Sequence, residues 1–262
     1  MGRHTFIIPV YKEPPYLEMC IMSLKKQIVA SDIVMTTATP MLSTRELAKK
    51  YGIPYYVNTQ EKTGIANDWN FALSMANSDY VTIAHQDDVY APNYVEEVMK
   101  CVEGSSIVFT DYWDVVNGNC KKNTLNAIVK KISLFPFLIK SSYKSKLLKR
   151  LVLIFGSSIC CPTVTYNTKI LKGFSFSPHF RFALDWIAWL EIAKMDGRFT
   201  YIRKKLVKHR IHVGSETSAT LASGVAQIEE FEILKRIWGG AIAKLLTKVY
   251  AIIRKADLSS IT

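Results

Sequence analysis

The stretch Tyr80-Val81-Thr82-Ile83-Ala84-His85-Gln86-Asp87-Asp88 decides how this chain is read. Apolar and β-branched residues run straight into two adjacent carboxylates, and the chain then turns at Ala91-Pro92. Such a run predicts a buried strand whose end places two negative charges at the rim of a sheet. Neighbouring carboxylates repel unless a positive charge faces them. A divalent cation meets that need, because Mg²⁺ and Mn²⁺ take hard oxygen ligands and share them with substrate phosphates. The plain alternative is a solvated loop with two exposed acids.

Strands and helices alternate on either side of this segment. Thr5-Phe6-Ile7-Ile8-Pro9-Val10 reads as a first buried strand, and residues 14–27 as a helix. Asp32-Ile33-Val34-Met35-Thr36-Thr37 reads as a second strand, followed by a helix that stops at Gly52. Tyr55-Tyr56-Val57-Asn58 is a third strand, residues 65–76 a helix, and Ser106-Ile107-Val108-Phe109-Thr110 a strand after a further helix. This alternation predicts a parallel sheet covered on both faces. Such sheets bind ligands beyond the carboxyl ends of their strands. Tyr11, Thr37, Asn58 and Asp87 are therefore expected to converge on one crevice.

Composition bounds the rest. A chain of 262 residues, 49% hydrophobic, can build one large domain with an appendage. No run of about 18 uncharged apolar residues predicts a membrane span, and Met1-Gly2-Arg3-His4-Thr5 leads directly into a strand with no signal-peptide pattern. Five cysteines without metal-ligand spacing suit a reduced, cytoplasmic protein. The net charge of +12 is uneven. Residues 1–110 carry nine Lys/Arg against twelve Asp/Glu, while 111–262 carry twenty-five against ten. No acid lies between Asp114 and Asp185, where Lys144, Lys146, Lys149 and Arg150 interleave with Phe135, Phe137, Leu138 and Leu147. Basic plus apolar is the pattern of a segment on an anionic bilayer surface. Nucleic acid is the rival partner, but no helix-turn-helix, RNP or zinc-finger spacing supports it. An ordinary basic surface is the third reading.

Four motifs in order resemble family 2 glycosyltransferases of the GT-A fold. They are Ile8-Pro9-Val10-Tyr11-Lys12-Glu13, Gly64-Ile65-Ala66-Asn67-Asp68-Trp69-Asn70, and His85-Gln86-Asp87-Asp88; the fourth comprises Ala183-Leu184-Asp185-Trp186 with Arg210-Ile211-His212. The resemblance spans roughly residues 4–220. It implies a Rossmann-like mixed sheet flanked by helices, and inverting transfer of a sugar from a nucleoside diphosphate sugar to an acceptor hydroxyl. It implies Asp185 as the general base, and Mg²⁺ or Mn²⁺ on Asp87, with Asp88 and His212 as further ligands. It places Pro9, Tyr11, Glu13, Thr37, Asp68, Asn70, Gln86, Asp87 and Arg210 around the nucleotide sugar. Asp185 read alone is an acid that favours a helix N-terminus, and His212 read alone is a core histidine.

The sequence departs from the family pattern where the second strand ends. An acidic pair that reads the base is replaced by Met35-Thr36-Thr37, which leaves UDP- and dTDP-sugars both open. Residues 1–222 read as the glycosyltransferase domain, with a nucleotide-sugar half over 1–110 and an acceptor half over 111–222. Gly156 to Tyr166 is expected to line the acceptor side, and the aromatic-rich 174–182 to form a sugar-stacking wall. Residues 223–262 read as an amphipathic helical extension broken at Gly239-Gly240, with Ile242, Leu245, Leu246, Val249, Ile252 and Ile253 on one face. Two basic, apolar segments point to peripheral association with the inner face of a cell membrane. A glycan or lipid-linked glycan acceptor in bacterial capsule, O-antigen or related surface-polysaccharide assembly follows by analogy. Two other classes stay open. A nucleotidyltransferase would want a Gly-rich loop after the first strand, and Pro9-Val10-Tyr11-Lys12-Glu13 has none. A non-catalytic sugar-nucleotide or membrane scaffold would not need Asp87, Asp88 and Asp185.

Overall fold

The computed structural model describes residues 2–259 apart from 62, 63, 122–124, 213, 215, 217–219 and 222. Its strands are β1 (His4–Val10), β2 (Asp32–Thr37), β3 (Tyr55–Val57), β4 (Tyr80–Ile83), β5 (Val89–Tyr90), β6 (Ser105–Val116), β7 (Asn119–Lys121), β8 (Ser142–Tyr143), β9 (Thr165–Asn167) and β10 (Arg198–Ile211). The helices are α1 (Leu17–Lys25), α2 (Leu42–Lys50), α3 (Ile65–Ser74), α4 (Tyr94–Met99), α5 (Leu125–Ser133), α6 (Phe135–Ile139), α7 (Lys146–Leu151), α8 (Leu184–Lys194), α9 (Val225–Trp238) and α10 (Gly240–Ser259).

One sheet runs in the order β3-β2-β1-β4-β9-β6-β10-β5. The first four strands are parallel. β9 then enters between β4 and β6, antiparallel to both, and β10 lies parallel to β6. The sheet is therefore mixed, as the family resemblance implied; strand–helix alternation alone predicted a parallel one. The reversal comes from a three-residue strand too short to show direction in its sequence.

Side chains alternate across the sheet because successive Cβ atoms point to opposite faces. Phe6, Ile8 and Val10 pack with α1 and α4 on one side, while Ile7 joins Val34, Ala72 and Val81 on the other. The largest core lies beneath α8, where Trp189, Phe199 and Tyr166 are buried. α8 is apolar nearly all round, with Leu184, Trp186, Ile187, Ala188, Trp189, Leu190, Ile192 and Ala193 buried, as suits a helix inside a core. Each such large side chain contributes about 1.5–3 kcal/mol. Gly197 makes the turn from α8 into β10 at φ +85°, where a Cβ would meet Ser106 N at 2.8 Å.

The C-terminal helices are joined at Gly239, as the sequence predicts. α9 is part of the core, with Ile233 and Leu234 buried. Trp238 donates its indole N–H to Ile154 O at 2.8 Å and stacks on Phe155. α10 carries two stripes. Ala243, Leu246 and Tyr250 face the core, while Ile242, Leu245, Val249 and Ile252 are exposed.

The basic apolar segment also divides. Leu134 and Phe137 belong to the core, while Ile132, Phe135, Leu138, Ile139 and Leu147 are exposed. Lys149 corrects the sequence reading. It is fully buried and donates Nζ to Met195 O at 2.7 Å and Gly197 O at 3.1 Å. Burial pushes its ammonium down to about 8. It holds the end of α8 and cannot meet a lipid headgroup. Among the described residues no helix is long and apolar enough to cross a membrane.

Candidate active site

The carboxyl ends of the parallel strands β1, β2, β3 and β4 lie along one edge of the sheet, and of the expected crevice residues Thr37 and Asn58 touch one another there. Tyr11 N donates to Gln86 Oε1 at 2.8 Å. Lys12 takes a left-handed conformation, φ 57°, and its N–H donates to Thr39 Oγ1 at 2.7 Å. Thr37 Oγ1 accepts from Thr39 N at 3.0 Å, and Thr37 O from Asn58 N at 2.7 Å. Asn58 Nδ2 donates to Asp68 Oδ1 at 3.1 Å. Burial raises the Asp68 carboxyl, and that hydrogen bond opposes the rise. Pro9 pairs with Thr36 inside the sheet, and Glu13 accepts a hydrogen bond from Ser43.

β10 brings the C-terminal motif to β4. His212 Nε2 lies 2.7 Å from Asp87 Oδ2. Arg210 N donates to Asp88 Oδ1 at 2.7 Å, and Arg210 Nε to Asp87 O at 3.1 Å. Tyr16 was not singled out from sequence. Its ring lies 4.0 Å from the Arg210 guanidinium and edge-on to His212, a cation–π contact that fixes both side chains. The signal was the Pro14-Pro15-Tyr16 turn at the end of β1, which carries no chemistry by itself.

Asp88 is buried. Burial lifts its carboxyl to about 7, with His209 and Arg210 opposing and Asp87 adding to the rise. Its Oδ2 is buried without a hydrogen-bond partner. The donor set fits a hard cation in part. Asp87 and His212 face one another as one carboxylate and one imidazole. Among the described residues, however, no three His, Cys, Asp or Glu side chains stand together as a ligand cluster. Asp88 braces the backbone of Arg210 through Oδ1 alone, which leaves Oδ2 as its one oxygen without a hydrogen-bond partner. A cation held by two side chains needs its other ligands from water and substrate oxygens, the habit of Mg²⁺.

Asp185 sits in the first turn of α8. Its Oδ2 accepts from Ser157 Oγ at 3.0 Å and its Oδ1 from Trp186 N at 2.6 Å. Burial raises its carboxyl above the usual range, against the charge of Lys130 and the Ser157 bond, which strengthens it as a base. The charges of Asp88 and Asp185 both act on the buried thiols of Cys160 and Cys161. Both carboxylates therefore lie near that turn, inside the stretch expected on the acceptor side. His209 Nδ1 lies 3.0 Å from Asp114 Oδ1. Burial lowers the His209 imidazole, but Asp114 and Asp88 outweigh it and raise it.

The loop before α8 is held from α9. Glu229 accepts from the backbone N–H of Arg181, Phe182 and Ala183, at 2.8 Å for the last two. These amides precede the helix, so one carboxylate fixes the approach to Asp185. Asn70 is a second clamp. Its amide donates to Phe176 O at 2.9 Å and accepts from Phe176 N at 2.7 Å. This corrects its expected nucleotide role, since the side chain is committed to the aromatic loop. Phe176 is buried against Trp69 and Tyr166, so its ring is core and not a sugar-stacking wall.

The mixed sheet, with a carboxylate–imidazole pair at its carboxyl edge and a carboxylate at the start of α8, is that of a glycosyltransferase of GT-A architecture. The chain belongs to glycosyl transferase family 2, whose family model matches residues 5–172. That match ends before Asp185. No curated protein matches the sequence. Among solved structures, S. aureus TarS residues 1–349 with UDP-GlcNAc is similar at 19% identity, covering 94% of this chain and 70% of that one, with a TM-score of 0.64. The mannosyltransferase PcManGT from Pyrobaculum calidifontis, with GDP-Man and Mn²⁺, is similar at 16% identity over 99% and 72%, with a TM-score of 0.58. Glucosyl-3-phosphoglycerate synthase from Mycobacterium tuberculosis, with Mn²⁺, UDP and glucosyl-3-phosphoglycerate, is similar at 13% over 86% and 79%, with a TM-score of 0.52.

Proposed function

We propose that the protein transfers a sugar, with inversion, from a nucleoside diphosphate sugar to an acceptor hydroxyl. The observation that carries this is Asp185, half-buried at the start of α8, with one carboxylate oxygen held by Ser157 Oγ and the other by Trp186 N. Nucleotide sugars in TarS and PcManGT support the donor class. Tyr11, Gln86 and Thr37 frame the nucleotide end, and the Asp68–Asn58 pair shapes its floor. Thr37 keeps a hydroxyl proton to donate, which suits a pyrimidine carbonyl and leaves UDP and dTDP as the candidates.

Asp87 and His212 would hold Mg²⁺ or Mn²⁺, which neutralises charge on the departing diphosphate. Arg210 lies beside them as a fixed positive charge for the same oxygens. Asp185 accepts the proton of the acceptor hydroxyl as that oxygen attacks the anomeric carbon from the opposite face. Ser157 and Trp186 N orient its two oxygens.

The exposed lysines and apolar side chains of α6, α7 and α10 support peripheral association with an anionic membrane, and hence a lipid-linked glycan acceptor in surface-polysaccharide assembly. Leu147 and Ile252 are exposed beside the basic residues Lys146 and Lys248.

Proton NMR of slow donor hydrolysis, with water as acceptor, tests the reaction. A panel of α-linked UDP- and dTDP-sugars with Mn²⁺ is screened first by thermal shift. The expected first product is the β-anomer, ahead of mutarotation. An α-anomer as first product rules out inversion.

A further inference from the structure

Near Asp185, whose charge acts on Lys130, lies a cavity of about 60 Å³ lined by Lys121, Lys130, Lys131 and Lys205 with Asp111 and Asp114. Ser158 completes one wall, and its neighbour Ser157 is the hydrogen-bond donor to Asp185. Four lysines and two aspartates thus share the lining. One of those carboxylates, Asp114, is already engaged by His209 at 3.0 Å. Among the described residues, no carboxylate lies within ion-pair distance of any of the four lysines.

The lysines arrive from three elements. Lys121 faces Asp114 across the β6–β7 ladder, and Lys130 and Lys131 come from α5. Lys205 stands at an irregular point of β10, with Nζ 3.5 Å from the Trp113 ring. Lys130 Nζ lies 3.4 Å from Tyr112 Oη. Burial alone would lower its ammonium, while the carboxylates of Asp114 and Asp185 favour the charged form.

Lysines without carboxylate partners around one cavity favour an anion there. A cavity lined by lysines from β7, α5 and β10 suits a phosphoryl group, which lysine meets as a point charge. Planar carboxylates favour the arginine fork instead, and no arginine lines this cavity. The size admits a phosphate.

We infer that this cavity binds a phosphoryl group of the acceptor, so that the hydroxyl to be glycosylated is presented to Asp185 by a phosphorylated glycan or lipid. The inference rests on the proposed transfer reaction for its meaning, but the anion site can be measured without it.

Isothermal titration calorimetry on the full chain at low salt, without divalent metal, uses inorganic phosphate and then farnesyl monophosphate. Both are expected to bind, and Lys131→Ala/Lys205→Ala to weaken each about tenfold. The single variants Lys131→Gln and Lys205→Gln give smaller losses and guard against a folding defect in the double. Tighter binding of farnesyl monophosphate identifies a lipid phosphate, and equal binding a water-soluble phosphorylated glycan. Phosphate binding that is absent, or identical in wild type and all three variants, overturns the site. Metal-dependent donor hydrolysis is measured on the same proteins and is expected to be unchanged by the lysine variants. A wild-type protein that binds phosphate but no nucleotide sugar refutes the transfer reading instead.

Discussion

His212 Nε2 and Asp87 Oδ2 meet at 2.7 Å although 125 residues separate them in the chain. The last strand and the fourth thereby close one site. If the pair holds a cation, Asp87→Ala is expected to abolish donor hydrolysis and its dependence on Mg²⁺ or Mn²⁺. His212→Ala is expected to raise the metal concentration needed for half-maximal rate. Full activity of Asp87→Ala in excess chelator removes the cation from this pair.

Glu229 ties α9 to the backbone N–H groups before Asp185. Glu229→Gln keeps the shape but turns charge-assisted hydrogen bonds into weaker ones. The expected cost is about 1–3 kcal/mol of stability, with a lower transfer rate and unchanged nucleotide affinity. Chemical denaturation and calorimetry on one sample check both. A stability loss with a normal rate leaves Glu229 as a fold residue only.

His4 is buried, with ring nitrogens 2.6 Å from Ser31 Oγ and 2.9 Å from Thr82 Oγ1. Burial lowers its imidazole from 6.5 to about 3. The unfolded chain takes up the proton first, so the associated stability is complete above pH 6.5 and is lost as pH falls toward 3. At pH 5 the loss is about 2 kcal/mol. Urea titrations from pH 7 to 4.5 should show a shallower fall for His4→Gln. Parallel curves for the two proteins would contradict this.

Membrane association is expected to depend on salt. Anionic lipid attracts each surface Lys or Arg by about 1 kcal/mol, less as salt shortens the Debye length. Exchanging Lys144, Lys146 and Arg150 for Glu should weaken vesicle binding. Lys149 is left intact because it is buried. Cosedimentation with anionic and neutral vesicles decides. Equal binding to both, unchanged by charge reversal, assigns these residues to a solvated surface.

Particular residues show what the sequence disclosed. β1 and β4 were legible because β-branched, apolar runs end at turn residues. Asp87, Asp185, Arg210 and His212 were legible through motif order. Ser157, Glu229 and the His209–Asp114 pair were not, since folding alone joins residues 28, 46 and 95 positions apart. Composition cannot say which lysine of a basic run turns inward, so Lys149 was misread. Asn70 sits in a family motif, yet its partner is a backbone segment 106 residues away.

The central claim is that Asp185 takes the acceptor proton, and Asp185→Asn tests it most directly. The substitution keeps the shape and removes the basic oxygen. Turnover and nucleoside diphosphate calorimetry on the same preparation should show a rate lower by a factor on the order of 10²–10⁴ with nucleotide affinity unchanged. Near-normal turnover by Asp185→Asn would contradict the account.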